Sequence, residues 1–308
     1  MAKEFKKPKV VYFKDQFVPF DEARIHMLSP CARYGINVFE GLRAYWNEKE
    51  GQLYAFRLHE HYQRLSESMK IMWLQLPQSA EDHIRILIET LRRNEFRQDC
   101  HIRHMVYVDG FEGYHATEPV GLFVCALPTG RFNDIEKGIT AMISSWSRIG
   151  DSSIPARIKA GSNYQNGRLA TLWAKKNGYD QPIIMNSNGK VAEGSGSCFF
   201  MVRKGVVVTP PVTAGILESV TRETLLQLVQ EELHLPVEVR DIDRTEVYVA
   251  QEAFLCGSGA EVTPINSVDK LPLGDGTPGP ITKKIQQVYF DVARGYVKKH
   301  PEWRTAVY

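Results

Sequence analysis

From Leu58 to Leu91 the apolar residues recur at helical spacing, while the segments on either side alternate at strand spacing. Two changes of period along one chain require a mixed αβ fold. Leu58, Tyr62, Leu65, Met69, Met72 and Leu76 predict one helix, ended by Pro77. Ser79, with Asp82 three residues on, caps a second that carries Ile84, Leu87, Ile88 and Leu91 on one face. Ahead of them "KVVYF" and "FVPF" flank a turn, and "INVFEGLRAYW" pairs with "GQLYAFRL" across "NEKE". Strands "CHIRHMVYV" and "VGLFVCAL" lead into "PTGRFNDIEKG", which has a connector's composition. Residues 1–127 are therefore expected as a small N-terminal domain, 128–138 as the connector and 139–308 as a larger C-terminal domain. There, strands "ITAMISSW", "QPIIM", "VEVRDI" and "EAFLCGSG" and a hairpin through "MVRKGVVVT" interleave with helices after Ser162 and Ser219. A last helix is expected from about Ile281, with Ile285, Val288, Tyr289, Val292 and Tyr296 in register.

Charge and cysteine usage narrow the partners. Over 308 residues, 38 Lys and Arg nearly balance 36 Asp and Glu, which gives no surplus for nucleic acid or an anionic membrane. The basic "KEFKKPK" near the start reads as a solvated tail. Cysteines 31, 100, 125, 198 and 256 form no C-x-x-C pair, so neither a metal site nor a disulfide framework is expected, and a reducing cytoplasm fits. No apolar run reaches the roughly 18 to 20 residues of a membrane span, and no signal-peptide block opens the chain.

Five constellations can carry chemistry. In "IPARIKAGSNYQNGRLA", Lys159 precedes Ala160, Gly161 and Ser162, small residues that leave room beside its amine, and Ser162 or Asn163 caps the next helix. A desolvated lysine reaches the neutral amine that attacks an aldehyde, and Tyr164 lies close in sequence. In "KVAEGSGSCFF", Glu193 is placed at a glycine-rich loop, either as a solvated turn residue or beside a ligand such as a pyridine nitrogen. "GILESVTRET" opens a helix with hydroxyl residues, where N–H groups can hold a phosphate. "CGSGAEVTP" sets Ser258 and small residues at a strand end, a second possible nest of N–H donors. Finally, strand alternation aligns Phe39, Gly41, Arg43 and Tyr45 on one strand, and His101, Arg103, Met105 and Tyr107 on another, a pattern suited to a carboxylate pocket. Arg64 falls on the polar side of its helix and is unremarkable alone.

Taken in order, "YGINVFEGLRAY", "HEHYQRL", "SSWSR", "IPARIKAGSNYQNGRLA", "VAEGSGSCFF", "GILESVTRE", "EAFLCGSGAEVTPI" and "GPITKKIQQ" resemble the branched-chain aminotransferase group of the class IV aminotransferases. The resemblance covers nearly the whole chain. It implies the two-domain fold type IV of pyridoxal-phosphate enzymes, like D-amino acid aminotransferase, with the cofactor between a small and a large α/β domain. It further implies that Lys159 forms a Schiff base with pyridoxal phosphate and then moves the proton. Glu193 would face the pyridine nitrogen, Tyr164 the ring hydroxyl, and Leu217 would pack beneath the ring. Arg64, Val220, Thr221 and Ser258 would hold the phosphate. The substrate carboxylate would meet Ser258, Gly259 and Ala260, helped by Arg103, with Tyr34, Phe39, Arg43 and His101 around the side-chain pocket.

The implied reaction is ping-pong amino transfer between L-leucine, L-isoleucine or L-valine and 2-oxoglutarate in a homodimer or larger assembly. A D-amino acid or (R)-amine transaminase and an aminodeoxychorismate lyase share the fold and are the alternatives, as is a binder without turnover. Two residues depart from the family pattern: His101 replaces a tyrosine and His104 a proline. The connector departs as well, and its Arg131 is a candidate for a distal carboxylate.

Overall fold

The computed structural model describes residues 6–128, 130 and 133–308. Arg131 and the first residues of the basic N-terminal run lie outside the described residues. The chain forms two compact units, Met1–Gly130 with Ile158–Ser162 and Asp291–Tyr308, and Arg131–Arg157 with Asn163–Phe290. A single division at 128–138 does not capture this, because the Lys159 segment and the C-terminus group with the first unit.

The first unit is built on an antiparallel sheet of β1 (Val10–Phe13), β2 (Gln16–Pro19), β3 (Asn37–Asn47), β4 (Gln52–Phe56), β5 (Cys100–Val108), β6 (Val120–Leu127) and the C-terminal β16 (Arg304–Ala306). Their order is β16-β4-β3-β5-β6-β1-β2. After the short α1 (Pro30–Tyr34), α2 (Leu58–Ile71) and α3 (Ala80–Asn94) pack on this sheet. Leu58, Tyr62 and Leu65 of α2 join Leu87 and Leu91 of α3 over Val38, Leu42, Ile102 and Val106 in one core. α3 begins with the expected capping box of Ser79 and Asp82. α2 stops earlier than its apolar spacing suggests. Trp73 takes a left-handed φ of 58°, so Leu76 packs on the core from outside the helix and Pro77 is not the terminator.

The second unit carries β7 (Ile139–Ser147), β8 (Gln181–Met185), β9 (Val191–Gly194), β10 (Cys198–Arg203), β11 (Val206–Thr209), β12 (Val237–Val239), β13 (Glu252–Gly257), β14 (Glu261–Val268) and β15 (Leu271–Pro272). Its helices are α4 (Tyr164–Lys176), α5 (Val220–Glu232), α6 (Arg244–Tyr248) and α7 (Pro280–Arg294), the last of which ends in the first unit. Three strand pairs are parallel, β14 with β7 and two joined by helical crossovers. α4 is the crossover from β7 to β8, and α5 the crossover from β11 to β12. Because β9 pairs with both β8 and β10, the path β10-β13-β14-β7-β8-β9 closes into a ring. α7 ends at Arg294, where Gly295 turns left-handed with φ 74°, so Tyr296 lies beyond the helix.

Gly167, in the second turn of α4, allows the helix to lie on the loop that follows Glu193. A Cβ at position 167 would collide with the Ser195 carbonyl oxygen, a backbone atom that cannot swing aside. Gly167→Ala should therefore lose at least about 2 kcal/mol of stability, read as a fall in the urea midpoint; an unchanged midpoint would show that α4 can shift.

Candidate active site

In the first unit, β3 places the lysine. β4 pairs only with Ala44 to Asn47 of β3, which leaves the edge beside Asn37 to Phe39 to another partner. The Lys159 segment takes it. Phe39 N donates to Lys159 O at 2.9 Å and Gly161 N to Asn37 O at 3.2 Å, around a bridge between Val38 and Ala160. Side-chain volume is excluded at 161, where a Cβ would stand 2.6 Å from Asn37 Oδ1. From the helix side, Ser68 Oγ of α2 accepts from Lys159 N at 3.2 Å. The lysine is thus fixed by backbone contacts to a strand and a helix, and its Nζ lies 5.2 Å from the centre of the Phe39 ring.

The Arg103 guanidinium lies over that same ring at 4.1 Å. Register puts Arg43 opposite His101 and Gly41 opposite Arg103, so Phe39, Arg43, His101 and Arg103 share one face, as the alternation predicts. Arg43 is buried rather than a surface charge. Burial, and then Arg103, Arg43 and Lys159 around the ring, push His101 down to about 3, so it is a neutral polar group at working pH. Tyr34, at the end of α1, is exposed, its ring edge-on to Tyr114 at 6.4 Å.

On the opposite face of β3, Glu40 is fully buried against α2. Its Oε1 accepts from Arg64 Nε at 2.8 Å and its Oε2 from Arg64 Nη2 at 2.6 Å. His61 Nδ1 donates to Oε2 at 2.7 Å. Burial alone would raise the Glu40 carboxyl, yet the Arg64 guanidinium and His61 outweigh it and hold it well below the usual carboxylate range. Arg64 is consequently a buried, paired residue, which corrects its placement on a polar helix side.

In the second unit, Glu193 stands in β9 rather than in a loop and is 4% exposed, which removes the solvated-turn reading. Its Oε1 pairs with Arg148 Nη2 at 2.8 Å. Its Oε2 accepts from Leu217 N at 3.3 Å and has the Cys198 thiol 3.9 Å away. Arg148 is itself aimed by Gly215 O, which accepts from its Nε at 3.1 Å. α5 opens at Val220 with Ser219 as its cap, whose hydroxyl accepts from Arg222 N, and both Val220 and Thr221 are buried. Helix geometry leaves the first-turn N–H groups without acceptors inside the helix, so this end suits an anion. Ser258, Gly259 and Ala260 form the turn between β13 and β14, and Thr263 Oγ1 donates back to Ala260 O at 2.6 Å. Tyr164 is the first residue of α4.

Sequence reasoning missed Glu40, His61, Ser68 and Arg148. Glu40 did leave a signal: a carboxylate on the strand face that otherwise carries Val38 and Leu42 needs a buried cation.

Residues 37–268 match the family described as amino-transferase class IV. The chain belongs to that family. It is 40% identical over 301 residues to a probable branched-chain-amino-acid aminotransferase of Aquifex aeolicus, covering 96% of each chain. The branched-chain aminotransferase of Thermoproteus uzoniensis, solved with norvaline, superposes with a TM-score of 0.93 at 39% identity, covering 98% of this chain and 100% of that one. The T.th. branched-chain amino acid aminotransferase, complexed with N-(5'-phosphopyridoxyl)-L-glutamate, does so at 0.93 and 32% identity, covering 99% and 100%.

Proposed function

We propose that this chain is a pyridoxal-phosphate-dependent transaminase that moves the amino group between L-branched-chain amino acids and 2-oxoglutarate. The observation that carries the reading is the placement of Lys159 Nζ and the Arg103 guanidinium over the same Phe39 ring. An amine for chemistry, an apolar wall and a cation for a carboxylate meet there. That combination serves the two demands of the reaction, an aliphatic side chain in one half and an acidic one in the other. The relatives solved with norvaline and with a glutamate conjugate support this dual use.

The residues fit the cofactor by their chemistry. A lysine amine, a guanidinium braced by a buried carboxylate, a helix opening with Thr221, and a buried glutamate already charge-paired match its aldehyde, phosphate and pyridine nitrogen. When bound, pyridoxal phosphate supplies an aldehyde for the amine and a ring that withdraws electrons from the substrate carbon. Lys159 would hold the cofactor through its amine, and the same amine would serve as the base that takes a proton from the donor's Cα and gives one back in the second half-reaction. On this reading Arg64, Val220, Thr221 and Ser258 would bind the phosphate, Glu193 the pyridine nitrogen and Tyr164 the ring hydroxyl, and Leu217 would support the ring. Ser258 to Ala260 would bind the substrate α-carboxylate, as would Arg103. Phe39, Arg43 and His101 shape the side-chain pocket.

A homodimer or larger assembly in the cytoplasm belongs to the same reading. Met27, Phe111 and Tyr114 are more than two-thirds exposed, at 76%, 68% and 76%, a concentration of apolar surface that a partner copy, with Tyr34 in the contact, would cover. Among the described residues no helix is long and apolar enough to cross a membrane. The test is a donor panel of L-leucine, D-alanine and (R)-phenylethylamine with 2-oxoglutarate, read as glutamate formed. L-leucine should give the highest rate; glutamate from the D- or (R)-donor alone would overturn the proposal.

A further inference from the structure

The Glu40 cluster reaches further than a buried ion pair. A carboxylate placed only to neutralise Arg64 has no need of a particular edge of the guanidinium. Glu40 spends both oxygens on one edge, Nε at 2.8 Å and Nη2 at 2.6 Å, and His61 takes a further position on Oε2 at 2.7 Å. The guanidinium is planar, so fixing one edge fixes its plane and the direction of Nη1. Glu40 cannot move to follow it, because it sits in mid-β3, fully buried, with Val38 and Leu42 on the same face in the core. α2 extends the arrangement. His61, Arg64 and Ser68 recur at three and four residues on one face of that helix, and Ser68 is the residue that holds the Lys159 backbone. One helix face, clamped to β3 through Glu40, therefore sets both the guanidinium and the lysine segment within this unit.

We infer that Glu40 is a positioning residue for the cofactor phosphate, acting through Arg64. The inference rests on the assignment of Arg64 to the phosphate made above. Positioning and neutralisation predict opposite signs. Removing a mere counter-charge would leave a stronger cation and tighten phosphate binding, whereas removing a positioning group loosens it.

The test is titration of the cofactor-stripped full-length chain with pyridoxal phosphate and with pyridoxal, which lacks the phosphate. Glu40→Gln keeps the shape but presents an amide where the guanidinium needs two acceptors. It should raise the Kd for pyridoxal phosphate by about tenfold, in line with loss of one charge-assisted hydrogen bond, and leave that for pyridoxal within about twofold. Glu40→Asp keeps the charge without the reach and should fall between; it replaces Glu40→Gln if circular dichroism shows the amide variant unfolded. An unchanged or tighter Kd for pyridoxal phosphate, or equal losses for both ligands, would overturn the inference. Arg64→Ala separates the two levels. If it retains the full preference for pyridoxal phosphate over pyridoxal, Arg64 does not bind the phosphate, and the assignment of Arg64 and the role of Glu40 fall together. If Arg64→Ala loses the preference and neither Glu40 variant does, only the role of Glu40 falls.

Discussion

Lys159→Ala should lose turnover of L-leucine with 2-oxoglutarate by more than about 10⁴-fold, the upper range for a single positioned acid–base group, because the same amine also holds the cofactor. The fold should survive. What secures position 159 is backbone: Lys159 O accepts from Phe39 N, Lys159 N donates to Ser68 Oγ, and the bridge beside it joins Val38 to Ala160. Alanine retains all of these. The contact of Nζ with the Phe39 ring, a cation over an aromatic face, is worth about 0.5 to 2 kcal/mol, and the lysine charge disfavours protonation of the nearby His61 and His101, so its loss is not costly there. Thermal melting should thus shift by a few degrees at most while glutamate formation and the bound cofactor's visible absorbance disappear. Turnover within tenfold of the parent chain would end the mechanism, whatever the melting temperature.

That contrast explains which parts of the site were legible in the sequence. Lys159 stood out in the sequence because its signals are local, small neighbours and a turn, but the helix cap expected beside it is not formed: Asn163 precedes α4 without a side-chain cap bond and donates its Nδ2 to Pro155 O. The shared face of Phe39, Arg43, His101 and Arg103 was readable from strand period, since the face repeats every second residue and β3 and β5 are neighbours. The capping box at Ser79 was readable for the same local reason. Arg64 was placed on a polar helix side and Glu193 left open between a solvated turn and a ligand contact, because what buries them is distant in sequence: Glu40 lies 24 residues from Arg64, and Arg148 precedes the strand that carries Glu193 by a whole helix and β8. The helix ends failed differently. Apolar spacing continued past Ile71 to Leu76, and past Arg294 to Tyr296, but a left-handed residue at Trp73 and at Gly295 broke the backbone, and spacing carries no information about φ.

The departures at His101 and His104 set the second large effect, a loss of stability on acidification. His104 is fully buried, its Nδ1 bonded to Tyr62 OH at 3.0 Å and its Nε2 to His83 Nδ1 at 3.1 Å. Burial, and then the neighbouring His83, hold it well below the usual histidine range, against a smaller opposite pull from Glu40. His101 is pushed down to about 3 by burial and by Arg103, Arg43 and Lys159. In the unfolded chain both rings take up a proton near pH 6.5. Below that value the unfolded chain therefore binds more protons than the fold, so stability is full above about pH 6.5 and falls as the pH drops toward the folded-state values. The His101 ring costs up to about 1.4 kcal/mol per pH unit and so removes about 1.6 kcal/mol between pH 6.5 and 5.0, out of a stability of about 5 to 15 kcal/mol, and His104 adds to the loss in the same direction. Glu40, held low by Arg64 and His61, should add no loss until the pH falls below the usual carboxylate range. Urea unfolding of the cofactor-stripped chain at pH 7.5, 6.5, 5.8 and 5.0 measures the slope. His101→Tyr removes one titrating ring, so its slope should be smaller by about 0.8 kcal/mol per pH unit averaged over this range, approaching about 1.4 at its acid end. Equal slopes for the two chains would mean that His101 is charged in the fold, and its place as a neutral wall of the side-chain pocket would have to be abandoned.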